Sequence, residues 1–182
     1  MRKLLEYSLM SLDGVMSGAD IGSFFEYRDA AYYRDGLGQL LACDAMLLGR
    51  TTYQAFANLW PGREHPWAER LNTMPKYVFS STLECAQWEN STLIRSDAVD
   101  AVTTLKQQPG GDLLIWGHGL LAQTLLRHGL IDAIDLSVHP VVLGHGSLFF
   151  RQGEYANLQL IAAKTFARGI VKLTYEPQSA AA

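Results

Sequence analysis

Three short turns in this sequence carry residue types suited to holding a phosphate group. Gly49-Arg50-Thr51-Thr52 follows the apolar run Ala45-Met46-Leu47-Leu48, Ser80-Ser81-Thr82 closes the run that begins at Lys76, and Gly117-His118-Gly119 follows the run from Asp112 to Trp116. Glycine lets the backbone approach a ligand closely, an arginine presents a fork of donors, and hydroxyls add further hydrogen bonds. A helix that starts at such a turn adds free N–H groups and the positive end of its dipole. Each turn alone is ordinary strand-to-helix punctuation, and Gly-x-Gly without a third glycine is a weak dinucleotide fingerprint. Their coincidence at the carboxyl ends of three strands is the signal, because open α/β sheets bind ligands at that edge.

The elements that must position these turns alternate along the chain. Leu4 to Leu9 reads as a first strand ending near Asp13-Gly14, and 13–25 as a glycine-bearing loop. Tyr32, Tyr33, Leu37, Leu40 and Leu41 are spaced for a helix over 29–43, with Gly36 and Gly38 as weak points. Ala45 to Leu48 is a strand buried on both faces, and Thr51 is placed to cap a helix that Pro61-Gly62 stops. Lys76 to Ser80 and Thr92 to Ile94 read as strands, 97–107 as a helix, Asp112 to Trp116 as a strand and Leu120 to His128 as a helix closed by Gly129. This rhythm implies right-handed crossovers and a mostly parallel sheet covered by helices. Ile134, Leu136 and Val138 then alternate with polar residues, and Leu158 to Phe166 with Ile170 to Tyr175 form a hairpin around Ala167-Arg168-Gly169, so the sheet should end antiparallel. One domain over 1–176 is expected, with 177–182 as a loose tail.

Composition narrows the classes of function. The chain has 182 residues, 48% hydrophobic, with a formal net charge of −3 and no Lys/Arg cluster, which argues against a nucleic-acid partner. Glu6 and Asp13 break the N-terminal apolar run and no stretch of about 18 apolar residues follows, so neither a secretory signal nor a membrane span is expected. Cys43 and Cys85 lack CxxC spacing and fit free thiols of a reducing compartment, the cytoplasm. His65, His128, His139 and His145 have no ligand spacing, and no metal site is expected. A Gly-x-Ser-x-Gly elbow is absent and neither cysteine has a recognisable histidine partner, which argues against nucleophilic catalysis.

The motifs together resemble a known superfamily. Leu47-Leu48-Gly49-Arg50-Thr51-Thr52-Tyr53 looks like the nucleotide-binding strand and helix start of dihydrofolate reductases. Trp116-Gly117-His118-Gly119, Leu130-Ile131-Asp132, His139-Pro140-Val141-Val142-Leu143-Gly144 and Gly146-Ser147-Leu148-Phe149 are similar to the C-terminal half of the same superfamily. Ser11-Leu12-Asp13-Gly14 resembles the first strand end in the reductase domain of the bifunctional riboflavin-biosynthesis deaminase/reductase. The resemblance implies a three-layer α/β/α dihydrofolate-reductase-like fold, NADPH across the strand ends, a small-molecule substrate and a homodimer. It carries Gly49, Arg50, Thr51, Thr52, Ser80, Ser81, Thr82, Gly117, His118, Gly119, Leu120 and Leu121 over as cofactor contacts, with Arg50 and Ser81 on the 2′-phosphate and His118 acting through its backbone N–H. Asp13 becomes the candidate catalytic residue, a carboxylate that binds a polar substrate or relays a proton, against the plainer reading of a turn former.

Departures from the family set the limits. No Trp precedes Trp60, and Glu26, Asp29 and Asp35 sit in no matching motif, so the acid that serves dihydrofolate reductases has no counterpart here. The loop after the second family strand differs from that of the riboflavin-type reductases, and the zinc-deaminase signature is missing. The expectation is therefore an NADPH-dependent reductase of a small heterocyclic or carbonyl-type substrate. The rivals are a nucleotide-binding protein without turnover and a protein whose site holds a flavin or other nucleotide instead. Phe24, Phe25, Tyr32 and Tyr33 either line an aromatic pocket or, as such a stripe does more often, form core, and Trp60 is open to both readings. Gly144-His145-Gly146 reads as a join between strands.

Overall fold

The computed structural model describes residues 1–178. Its strands are β1 (Leu4–Ser11), β2 (Val15–Ser17), β3 (Cys43–Gly49), β4 (Lys76–Phe79), β5 (Ser91–Ile94), β6 (Asp112–Trp116), β7 (Ala133–His139), β8 (Ser147–Leu148), β9 (Asn157–Thr165) and β10 (Val171–Gln178). Its helices are α1 (Ala30–Ala42), α2 (Arg50–Leu59), α3 (Pro66–Thr73), α4 (Ala98–Gln107) and α5 (Leu120–Arg127), and a 3-10 segment covers Ala19–Tyr27.

Eight strands form one sheet in the order β5-β4-β3-β6-β1-β7-β10-β9, and β2 pairs with β8 separately. Pairing is parallel from β5 to β7 and antiparallel from β7 through β10 to β9. The unbroken apolar run in β3 is explained by burial on both sides. Met46 and Leu48 pack with Leu40 of α1, Tyr53 of α2 and Leu71 of α3, while Ala45 and Leu47 pack with Val102 of α4 and Leu125 of α5. Helices α1, α2 and α3 thus cover one face and α4 and α5 the other. The three-layer arrangement and the antiparallel end match the expectation from sequence.

Several local expectations change. Thr51 does not cap α2: the helix starts at Arg50 and the cap is Gly49, with no side-chain hydrogen bond. The 13–25 loop contains β2 and most of the 3-10 segment. Helix α3 had no expected counterpart; Pro66 opens it and His65 Nδ1 accepts the Trp67 N–H at 3.2 Å as an atypical cap. Pro177 and Gln178 pair with β9, and the rest of the expected tail, 179–182, lies outside the described residues.

Gly36, a weak point of α1 when read from sequence, has a packing reason. A Cβ placed there would sit 2.8 Å from the Trp67 ring of α3, whereas one at Gly38 would meet nothing within 4 Å. The two glycines of one helix should therefore respond oppositely to alanine. Gly36→Ala overpacks the α1–α3 contact and should cost about 1–3 kcal/mol, and Gly38→Ala should gain up to about 1 kcal/mol from helix propensity. Urea unfolding of the two variants checks this, and a gain at Gly36 would refute the packing account.

Candidate functional site

Strands β3 and β6 lie side by side in parallel, with Leu47 opposite Ile115. Each runs directly into a helix at the same edge of the sheet. Helix α2 then leaves over one face and α5 over the other. This is a topological switch point, where the diverging helices leave a crevice beyond the strand ends. Strand β4 on the far side of β3 brings 80–82 beside 49–52, and β1 on the far side of β6 carries Asp13 several residues beyond Tyr7, whose carbonyl accepts the Gly117 N–H at 2.9 Å.

The three turns lie close to one another. Arg50 Nη1 donates to Thr82 Oγ1 at 2.7 Å, and Thr52 Oγ1 lies 4.0 Å from the place a Gly117 Cβ would occupy. Capping separates the helices at this edge from two others. Helices α1 and α4 carry aspartate caps, Asp29 accepting from the Tyr32 N–H and Asp97 from those of Val99 and Asp100. Helices α2 and α5 have Gly49 and Gly119 instead, with no side-chain cap, and a Cβ at either would meet nothing within 4 Å. Two sets of first-turn N–H groups therefore face open space toward the crevice, an arrangement that suits an extended phosphate chain.

The other expected contacts differ in what they offer. Ser80 Oγ accepts from the Thr82 N–H at 3.3 Å and the Leu83 N–H at 3.0 Å, which shapes the turn and leaves its hydroxyl proton to donate. Ser81 and Thr82 are exposed. The Leu120 side chain points to solvent and Leu121 packs partly on the core, so only their backbone groups are alike at the site. Gly117 adopts φ +81°, which favours glycine. The His118 imidazole turns inward and is fully buried.

Arg95, immediately after β5, was not among the expected residues. Its guanidinium donates to the carbonyls of Ser81 at 3.2 Å, Leu83 at 2.7 Å and Glu84 at 3.1 Å, and so holds the loop that presents Ser81 and Thr82. The rule that singled out the other turns, a polar residue just beyond the carboxyl end of a parallel strand, applies to it equally.

Asp13 sits at the end of β1 with both oxygens engaged. Oδ1 accepts from Ser11 Oγ at 2.5 Å and the Leu143 N–H at 3.1 Å, and Oδ2 from the Gly144 N–H at 2.7 Å. The Ser11 hydroxyl and then the two amides hold its carboxyl down at about 2. At neutral pH it is an anion that staples the segment after β7 to the end of β1. In that state it can accept hydrogen bonds and has no proton to give.

The aromatic stripe divides. Phe24 and Tyr32 are core: Phe24 stacks on His139 with ring centroids 4.4 Å apart, and the Tyr32 hydroxyl meets that of Tyr7 at 2.7 Å. Phe25 and Tyr33 are exposed. Trp60 packs edge-on against Phe56, which also meets Trp116 at the end of β6. The 144–146 turn joins β7 to β8. Among the described residues no group of His, Cys, Asp and Glu is placed to hold a metal ion, and no helix is long and apolar enough to cross a membrane.

Comparison with known proteins places this architecture. The family model described as the RibD C-terminal domain matches residues 2–172. The Bacillus subtilis (strain 168) protein YyaP is 33% identical over 150 residues, covering 79% of this chain and 77% of that protein. Among solved structures, a protein of Shewanella sp. PV-4 named for riboflavin biosynthesis is 20% identical with a TM-score of 0.75, covering 97% of this chain and 99% of that one. Dihydrofolate reductase from Enterococcus faecalis, complexed with NADP(H), is 12% identical with a TM-score of 0.62, covering 97% of both chains. These likenesses show a dihydrofolate-reductase-like fold, and the chain belongs to the family of RibD C-terminal domains.

Proposed function

We propose that this protein is an NADPH-dependent reductase that transfers hydride to a small heterocyclic or carbonyl-type substrate. The observation that carries the reading is the pair of uncapped helix N-termini, α2 and α5, meeting at the switch point between β3 and β6. Family membership supports the reductase class, and the NADP(H) held by the Enterococcus faecalis enzyme supports the choice of cofactor.

When bound, the cofactor supplies the hydride. The protein's part is to hold and orient. The first-turn amides of α2 and α5 would bind the pyrophosphate, and Gly49, Gly117 and Gly119 would let the backbone approach it. Arg50, which donates to Thr82 in this structure, would hold the 2′-phosphate together with Ser81, Thr82 and the Ser80 hydroxyl. Thr51 and Thr52 add donors at the start of α2. Asp13 fixes the 143–144 backbone at the substrate side and presents a carboxylate acceptor. Because it stays ionised, the proton that accompanies hydride comes from solvent or substrate. A reducing, cytoplasmic setting agrees with two free cysteines, Cys43 and Cys85. The chain pairs as a homodimer: β9 is an open edge strand with Leu160 and Ile161 each about half exposed.

Fluorescence titration should show NADPH binding more tightly than NADH, and Arg50→Ala should weaken NADPH by at least tenfold, about 1.4 kcal/mol. A much smaller loss removes Arg50 from the phosphate site. Binding with no oxidation by any pterin, pyrimidine, quinone or carbonyl compound would favour a nucleotide-binding protein without turnover.

Asp13 has a depressed folded-state pKa, so the stability it contributes is present above its ordinary value of 3.8 and is lost as pH falls toward about 2. Carboxyl NMR should place its midpoint near that lower value. A midpoint close to 3.8 would mean that the contacts to Ser11, Leu143 and Gly144 do not persist in solution. Sedimentation should give a dimer, and Ile161→Lys should shift it to monomer without unfolding it. A dimer unchanged by that charge would move the interface away from β9.

A further inference from the structure

The turn that opens α5 is anchored from inside the protein. His118 is fully buried, and its Nδ1 lies 2.7 Å from Glu6 Oε1 of β1, a residue with no exposed surface and 112 positions away in sequence. Ser8 Oγ donates to the same Glu6 oxygen at 3.1 Å. On the other side of the ring, His118 Nε2 lies 3.4 Å from Glu154 Oε1, an ion-pair separation longer than a well-formed hydrogen bond. Phe149 stacks on the imidazole at 4.3 Å and Phe150 meets it edge-on at 5.5 Å. Glu154 belongs to a strap, 149–156, that crosses α5 on its way from β8 to β9, and it folds the strap into a turn by accepting the Arg151 N–H at 2.8 Å. Phe149 roots the start of the strap in the core, and beyond it a cavity of about 510 Å3 opens between 150–156 and Gln123, Leu126 and Arg127 of α5.

We propose that Glu6 and Glu154 are positioning residues for the phosphate turn: through the imidazolium clamped between them, they fix Gly117, His118 and Gly119 and aim the first amides of α5 into the crevice. The phosphate assignment rests on the function proposed above, whereas the clamp itself can be judged separately. Three elements meet at one ring, β1 through Glu6, the β6–α5 turn through His118 and the strap through Glu154. Helix α5 adds the neutral Gln123, whose Nε2 donates to the His118 carbonyl at 3.1 Å. A neutral imidazole carries one N–H and can serve only one of the two carboxylates, while the imidazolium serves both. Glu154 is the partly exposed partner and Glu6 has no access to water, so loss of the proton releases the strap first.

Burial disfavours the imidazolium, but Glu6 and then Glu154 outweigh it and leave His118 above its ordinary value. The sign follows. The clamp is complete below the ordinary value of 6.5 and is lost as pH rises through the higher folded-state value. Strap attachment and turn order should fall together on the alkaline side.

The test compares wild type with Glu154→Gln and Glu6→Gln between about pH 6 and about pH 9. Histidine NMR should show the His118 titration moving to lower pH in Glu154→Gln. Amide exchange, corrected for its intrinsic pH dependence, should rise at 117–121 and 149–156 in that variant and lose its pH response. NADPH affinity should fall about threefold to tenfold, most at low pH, where the wild-type clamp is intact. Glu6→Gln should show the same direction more strongly. Should it fail to fold, Glu154→Gln, altered at a partly exposed position, decides alone. An unchanged His118 titration and unchanged exchange at 117–121 in Glu154→Gln overturn the proposal. Wild type that binds no NADPH overturns the function proposed above, and the clamp then stands or falls on the exchange and NMR results.

Discussion

The adjacency of β3 and β6 is the constraint on which the rest of the structure depends. Strands from distant parts of the chain pair in parallel, and a parallel strand must send its following segment off the same edge as its neighbour. The helix after β3 covers one face and the helix after β6 covers the other, so the two N-termini diverge around a gap that no side chain of α2 or α5 caps. Any other order of these strands would separate the turns. The Arg50–Thr82 contact and the approach of Thr52 to Gly117 are consequences of that order.

Much of this was legible in the sequence because the signals are local. The apolar run of β3, the glycines after β3 and β6, and Gly129 at φ +66° after α5 each act within a few residues. What was not legible depended on distant partners. The Gly36 packing requires Trp67 of another helix, and α3 starts on a histidine cap that standard capping preferences do not flag. Thr51 looked like a cap because an uncapped helix start is unfavourable in an isolated chain. The extended Gly49 took that place, φ −73° and ψ 161°, and left the first-turn donors open. That mismatch with local preference coincides with the candidate binding edge, where such mismatches are expected.

Glu6 illustrates the same limit. In sequence it merely interrupts an apolar strand, and only its pairing with His118 explains a carboxylate with no exposed surface. An unpaired buried carboxylate would be several kcal/mol unfavourable, whereas a hydrogen-bonded pair recovers most of that cost. Pairs of this kind add little net stability but tolerate few alternative geometries, and their value lies in fixing a position.

The two uncapped helix starts are accordingly held by opposite means. Beside α2, Arg50 reaches Thr82 through an exposed hydrogen bond, a contact of about 1 kcal/mol that an incoming phosphate can replace. Beneath α5, the turn is tied to a buried histidine that no ligand can reach. One side can therefore rearrange around a ligand while the other keeps its place. Asp13 belongs with the fixed parts, since its three hydrogen bonds already join the β1 end to the segment after β7. The mobile chemistry at this edge is left to Arg50 and to whatever enters the crevice.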